Sequence, residues 1–170
     1  MRMTFSFLMF LLGLSLCAAD QPKEQIPDID AIKESGNLGK CSVSVGSVYC
    51  WRDWQPVVEK PGADGGSPLY IKSNLQIDNS TGSTGRISWE SYVLDVETHE
   101  FHLVELVDKK GAPKWDGRIS DSEVKESELM THDGPYLAVG RQVILVFHLK
   151  DQSGRILWLK SKKVQIKRTD

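Results

Sequence analysis

From Leu69 onward the chain alternates apolar and polar residues, broken at short intervals by glycine, aspartate, asparagine and serine. A period of two over short segments predicts β-strands with one buried face. Leu69-Tyr70-Ile71 and Leu75-Gln76-Ile77 read as one strand or two short ones, followed by a turn over Asn79–Gly85. In the next strand, Ile87–Val96, the residues Ile87, Trp89 and Ser91 oppose Ser88, Glu90 and Tyr92. After it, Phe101, Leu103, Glu105 and Val107 oppose His102, Val104 and Leu106, and Asp108–Pro113 closes the strand. Between Ile119 and Leu129 the alternation weakens and does not separate helix from strand.

Gln142–Leu149 departs from alternation, being almost entirely apolar and rich in β-branched and aromatic residues. Such a run marks a central strand covered on both faces. Asp151-Gln152-Ser153-Gly154 then predicts a turn, and Ile156–Leu159 and Val164–Ile166 predict two more strands. Many short strands with turn residues between them define an all-β fold, a single antiparallel β-sandwich. An immunoglobulin-like Greek key is the expected topology and an open or barrel-like sheet the alternative. The antibody spacing of Cys, Trp and Cys is absent.

The N-terminal end follows other rules. Arg2 precedes an apolar run, Phe5–Leu16, and the small residues Cys17, Ala18 and Ala19 precede polar Asp20. This is the layout of a secretory signal peptide cleaved after Ala19. The run is shorter than the roughly 20 residues a membrane helix needs, so no transmembrane segment is expected. The chain thus divides into a signal peptide over 1–19, a polar segment over 20–40 and a sandwich domain over 41–170. Within the polar segment, Pro27–Glu34 predicts a short helical or irregular stretch, with Gly36 as its stop. The expected location is outside the cell or in the periplasm, and N-terminal sequencing of the exported protein should begin near Asp20.

The formal charge of −2 gives no reason to expect a nucleic-acid partner. The distribution is uneven: Ile87–Tyr136 holds twelve carboxylates and five lysines or arginines, whereas Lys150 to the end holds seven basic residues and two acidic ones. Without the leader, two cysteines remain, Cys41 and Cys50. In an oxidising compartment an even pair implies a disulfide, here closing a hairpin that turns near Val45-Gly46.

No motif points to a catalytic centre. His99 and His102 lie three apart, not at the helical spacing of four that zinc proteases use. His148 falls in the buried strand and reads as a core histidine, and His132 precedes a turn. There is no Gly-x-Ser-x-Gly elbow and no phosphate-binding loop, and no cofactor is implied. Asp116, Asp121, Glu123, Glu126, Glu128 and Asp133 suggest calcium by number, but their spacing fits no EF-hand, so no metal is expected. Asn79-Ser80-Thr81 matches the N-glycosylation acceptor.

Two groups of residues remain as candidates for recognition. Tyr49, Trp51 and Trp54 lie within six positions, with Tyr49 and Trp51 on one face of a strand. Lys162, Lys163 and Lys167 punctuate the last strand, where lysines both discourage stray pairing and offer charge to an acidic partner. The expected function is non-enzymatic binding of another protein by an accessory, inhibitor or adhesion-type module. A carbohydrate-binding module using the three aromatics is the alternative, and a small hydrolase of unfamiliar design a more distant one.

Overall fold

The computed structural model describes residues 25–54, 62, 65–83, 85–108, 116–131 and 133–169. Residues 1–19, where the sequence predicts a signal peptide, lie outside the described residues, as do His132, Trp115 and parts of the loops around residues 59 and 111. Among the described residues no helix is long and apolar enough to cross a membrane.

The strands are β1 (Ser35–Leu38), β2 (Cys41–Asp53), β3 (Tyr70–Asp78), β4 (Gly85–Asp95), β5 (Phe101–Val104) and β6 (Val107–Asp108). They continue as β7 (Arg118–Ile119), β8 (Val124–Thr131), β9 (Gln142–Asp151), β10 (Ile156–Lys160), β11 (Val164–Gln165) and β12 (Lys167–Thr169). One sheet runs β1-β2-β3-β8-β6 and the other β10-β9-β4-β5. The connections β3 to β4 and β8 to β9 both cross between sheets, yet β3 pairs with β8 and β4 with β9. That interlock makes the Greek key. Taking β2, β3, β8 and β6 as strands A, B, E and D, and β10, β9 and β4 as G, F and C, the order is that of the immunoglobulin sandwich.

The two inward faces meet in one apolar core. It takes Val43 from β2, Ile71, Leu75 and Ile77 from β3, Leu129 from β8, and Val143, Leu145, Phe147 and Leu149 from β9. The other face of β9 is also covered: Ile144 and Val146 form a second cluster with Leu94 and with Ile32 from the N-terminal segment. The expectation of a central strand buried on both sides is therefore met. Neither β3 nor β9 contains a cysteine, so the inter-sheet disulfide of antibody domains has no counterpart here and apolar packing fills its place.

The N-terminal segment is less helical than its sequence pattern suggests. Only one 3-10 turn forms, Ile29–Ala31, with Asp28 accepting from the Asp30 amide at 3.0 Å. Ile32 then extends, because its side chain gains more by sealing the outer face of β9 than another turn of an undocked helix offers. Lys33 bridges to Leu159 and Ser35–Leu38 pairs with β2, so residues counted before the sandwich form its edge.

Two other local expectations change. Residues 105 and 106 carry the chain between sheets, so β5 and β6 are separate strands. His99 sits in the turn before β5 with φ near 60°, not in the strand. β10 is an edge strand on which Ile156 stays 42% exposed, whereas the residues after it join both sheets, β11 on β9 and β12 parallel to β2.

The turn between β9 and β10 is organised by Asp151. Its carboxylate accepts from the Ser153 amide and hydroxyl at 2.9 and 2.7 Å, and from the Arg155 amide and Nε at 3.0 and 2.7 Å. Burial works against the charge, but these bonds outweigh it and hold the pKa at about 2. A pKa below the unfolded value gives stability that is full above about pH 4 and lost as the pH falls toward 2. Melting temperatures across that window should fall less steeply for Asp151→Asn than for wild type. Parallel curves would remove Asp151 as a source of the acid sensitivity.

Candidate functional site

Strand β2 carries the site, and a bulge decides what each face of it shows. Val45 pairs with Leu75, but Val48 pairs with Ser73, so β2 has one residue more than β3 across this interval. Gly46 sits in the bulge, where an added Cβ would come within 3.2 Å of Asn74. The extra residue shifts the parity of the strand. Before it Val43 points inward, and after it Cys50 and Arg52 do.

The cysteine prediction is corrected here. Cys41 and Cys50 are free thiols on one continuous strand, and residues 45–46 form a bulge instead of a hairpin turn. Nine residues of extended chain span about 30 Å, against the ~7 Å limit between Cα atoms of a disulfide. Cys41 donates to Asn79 Oδ1 at 2.9 Å, and burial pushes the Cys50 thiol up to about 12. In the native protein, thiol reagents should therefore leave Cys50 unmodified, and non-reducing peptide mapping should find no link between the cysteines. A linked pair of peptides would refute the single-strand assignment.

Asn79 is fully buried, and its Nδ2 donates to the carbonyls of Ser83 and Ser120 at 3.1 and 2.7 Å. A glycan on that nitrogen has no room in the folded protein.

Tyr49 and Trp51 project from the outer face of β2, opposite Lys72 and Tyr70 of β3. Tyr49 is 40% exposed, and Trp51 and Tyr70 are half-buried. The Tyr49 and Trp51 rings lie 5.3 Å apart at 37°, and Trp51 meets Tyr70 edge-on at 5.5 Å. β12 lies parallel beside β2 with Lys167 next to Trp51, which brings Lys167 Nζ to 5.3 Å over the Tyr49 ring. Across the sheet, Lys72 forms an ion pair with Glu128 at 2.5 Å.

Trp54 does not join this face. It stands past the end of β2, with the Arg52 guanidinium 4.8 Å and the Arg168 guanidinium 5.1 Å from its ring centroid. Lys162 and Lys163 are exposed in the link from β10 to β11, away from the β12 register that positions Lys167. Of the six candidates, Tyr49, Trp51 and Lys167 form one contiguous surface.

Sequence reasoning missed Arg52. Its side chain is fully buried, with Nε donating to Ser67 O at 2.6 Å and Nη1 to Leu137 O at 3.1 Å, between the Trp54 and Tyr136 rings. The only sequence signal was an arginine two places after a cysteine in an apolar strand, and it becomes readable once the bulge is known.

The acidic stretch does not converge. Arg86 pairs with Asp116 at 2.7 Å, the Ser120 amide donates to Glu123 at 2.6 Å, and Asn74 donates to Glu126 at 2.7 Å. Among the described residues no group of three potential ligands could hold a metal ion. His148 points to the outer face of its sheet instead of the core, its ring stacked 4.4 Å from Trp158 and Nδ1 3.6 Å from Glu90. Comparison with protein-family models, curated proteins and solved structures finds no match to this chain.

Proposed function

We propose that the protein is an exported, non-enzymatic binding module that docks another protein on the outer face of β2 and β3. The observation that carries this reading is the cluster of Tyr49, Trp51, Tyr70 and Lys167, aromatic and cationic groups placed together on a sheet surface and half-open to water. Aromatic side chains dominate protein interfaces because they cover large area with little rotamer freedom to lose. Export is inferred from the leader pattern at residues 1–19.

A protein partner suits the ring geometry better than a sugar. Stacking on a pyranose needs an open, flat aromatic face, whereas Tyr49 leans over Trp51 and carries Lys167 above it. A photo-crosslinking residue at position 49 should capture one defined protein from the native extract. Trp51→Ala should weaken binding of that identified partner by about tenfold or more. A glycan array that lights up instead, and goes dark on Trp51→Ala, would move the function to carbohydrate binding.

A further inference from the structure

The free edge of β2 is interrupted. β1 covers it along Cys41–Ser44, and the Val45 amide still donates to Glu34 O at 2.9 Å. β12 covers it again along Trp51–Asp53. Between them, residues 46–50 have no neighbouring strand on that side among the described residues.

Two connecting segments frame this gap. Lys33 and Glu34 run from the β10 side to β1, and Ser161–Val164 runs from β10 to β11. They leave an opening of about 440 Å³, lined by Glu34, Val45–Val48, Ser161, Lys162 and Val164. Lysines flank it at two places. Lys162 lines the opening, Lys163 follows it in the chain, and Lys167 stands over Tyr49, which belongs to the same uncovered stretch. All three lysines are exposed, and none has an ion-pair partner among the described residues. Against them the lining offers one carboxylate, Glu34.

From this arrangement we infer that the notch between β1 and β12 receives an acidic linear segment of the partner protein. The inference rests on the binding function proposed above and specifies the chemistry of the partner. Lysines flanking an uncovered strand edge repel basic strands and make neutral ones bury charge, but they attract a segment bearing carboxylates. The bulge at Gly46 bends the edge away from regular ladder pairing, so side-chain charge and the Tyr49 ring carry the recognition.

A short fluorescein-labelled peptide alternating glutamate and valine is the probe, read by anisotropy on the whole protein at low salt. Saturable binding is expected, lost when glutamine replaces glutamate. The triple variant Lys162→Glu, Lys163→Glu, Lys167→Glu should weaken it about a hundredfold, with melting unchanged. Ser47→Tyr, which fills the opening without altering charge, should also weaken it.

Absence of peptide binding, or binding that survives the triple reversal, would overturn the inference. So would binding that survives Ser47→Tyr, since the lysines would then act only as a diffuse field. Tighter binding of a heparin fragment than of the peptide would assign the lysines to a polyanionic glycan. Loss of a concentration-dependent dimer in the triple variant would assign the notch to a second copy of this chain. If the partner crosslinked at position 49 still binds the triple variant, the proposed function stands and the notch assignment alone fails.

Discussion

Phe147→Ala is expected to lower stability by about 3–5 kcal/mol in urea or guanidinium denaturation, the cost of truncating a buried aromatic. Phe147 has no solvent exposure and sits mid-strand between Leu159 of β10 and Ser91 of β4. On its face Val143, Leu145 and Leu149 are packed into the main core, so no loose neighbour can move into the void. On the other face Ile144 and Val146 are held by Ile32 and Leu94, so β9 cannot shift outward to relax. A loss of that size removes a large part of a typical net stability of about 5–15 kcal/mol. Lys163→Ala, exposed in a connecting segment, should change stability by less than about 0.5 kcal/mol. A Phe147→Ala protein as stable as wild type would show that the core is elsewhere.

Arg52→Ala should cost about 3–4 kcal/mol, for a different reason. The guanidinium satisfies the carbonyls of Ser67 and Leu137, and it fills the space between the Trp54 and Tyr136 rings. Removing it leaves two acceptors without these donors and a void between aromatic faces. The loop beyond β2 depends on the same contact, because the Asp53 amide donates to Ser67 Oγ at 2.8 Å and Ser67 N to Asp53 O at 2.8 Å. Tryptophan fluorescence should report the change, since Trp54 stacks directly on the arginine. Arg52→Lys should recover less than half of the loss, because an ammonium lacks the planar fork that reaches both carbonyls. If Arg52→Met is as stable as wild type, packing volume rather than the cation holds the loop.

Most of the architecture was legible because it rests on period-two patterning. The run Gln142–Leu149 announced a doubly covered strand, and the alternation in Ile87–Val96 separated the two faces that the fold uses, whereas in the next run Val104 and Leu106 face the core and the equally apolar Phe101 and Leu103 stay exposed. The site was half legible. Tyr49 and Trp51 share a face as their spacing requires, and they do share it. Trp54, three residues beyond Trp51, lies past the strand end, where alternation no longer governs direction.

What the chain order could not convey is pairing at a distance. The rule that two cysteines expected in an oxidising compartment bond each other failed because β3 holds the strand extended from Ser42 to Trp51, apart from the bulge, and local spacing cannot reveal that partner. The bulge at Gly46 is invisible in the sequence, yet it alone sends Arg52 inward and Tyr49 outward.

Composition and alternation by themselves determined the class of fold, the buried strand and the two sets of candidate residues, because burial periodicity is a local property of each strand. Only the tertiary structure decided that Lys167 would meet Tyr49, that Asn79 would be sealed by Cys41, and that a notch would open between β1 and β12. Those three facts depend on which strands become neighbours, and neighbours are chosen by the packing of the whole sandwich.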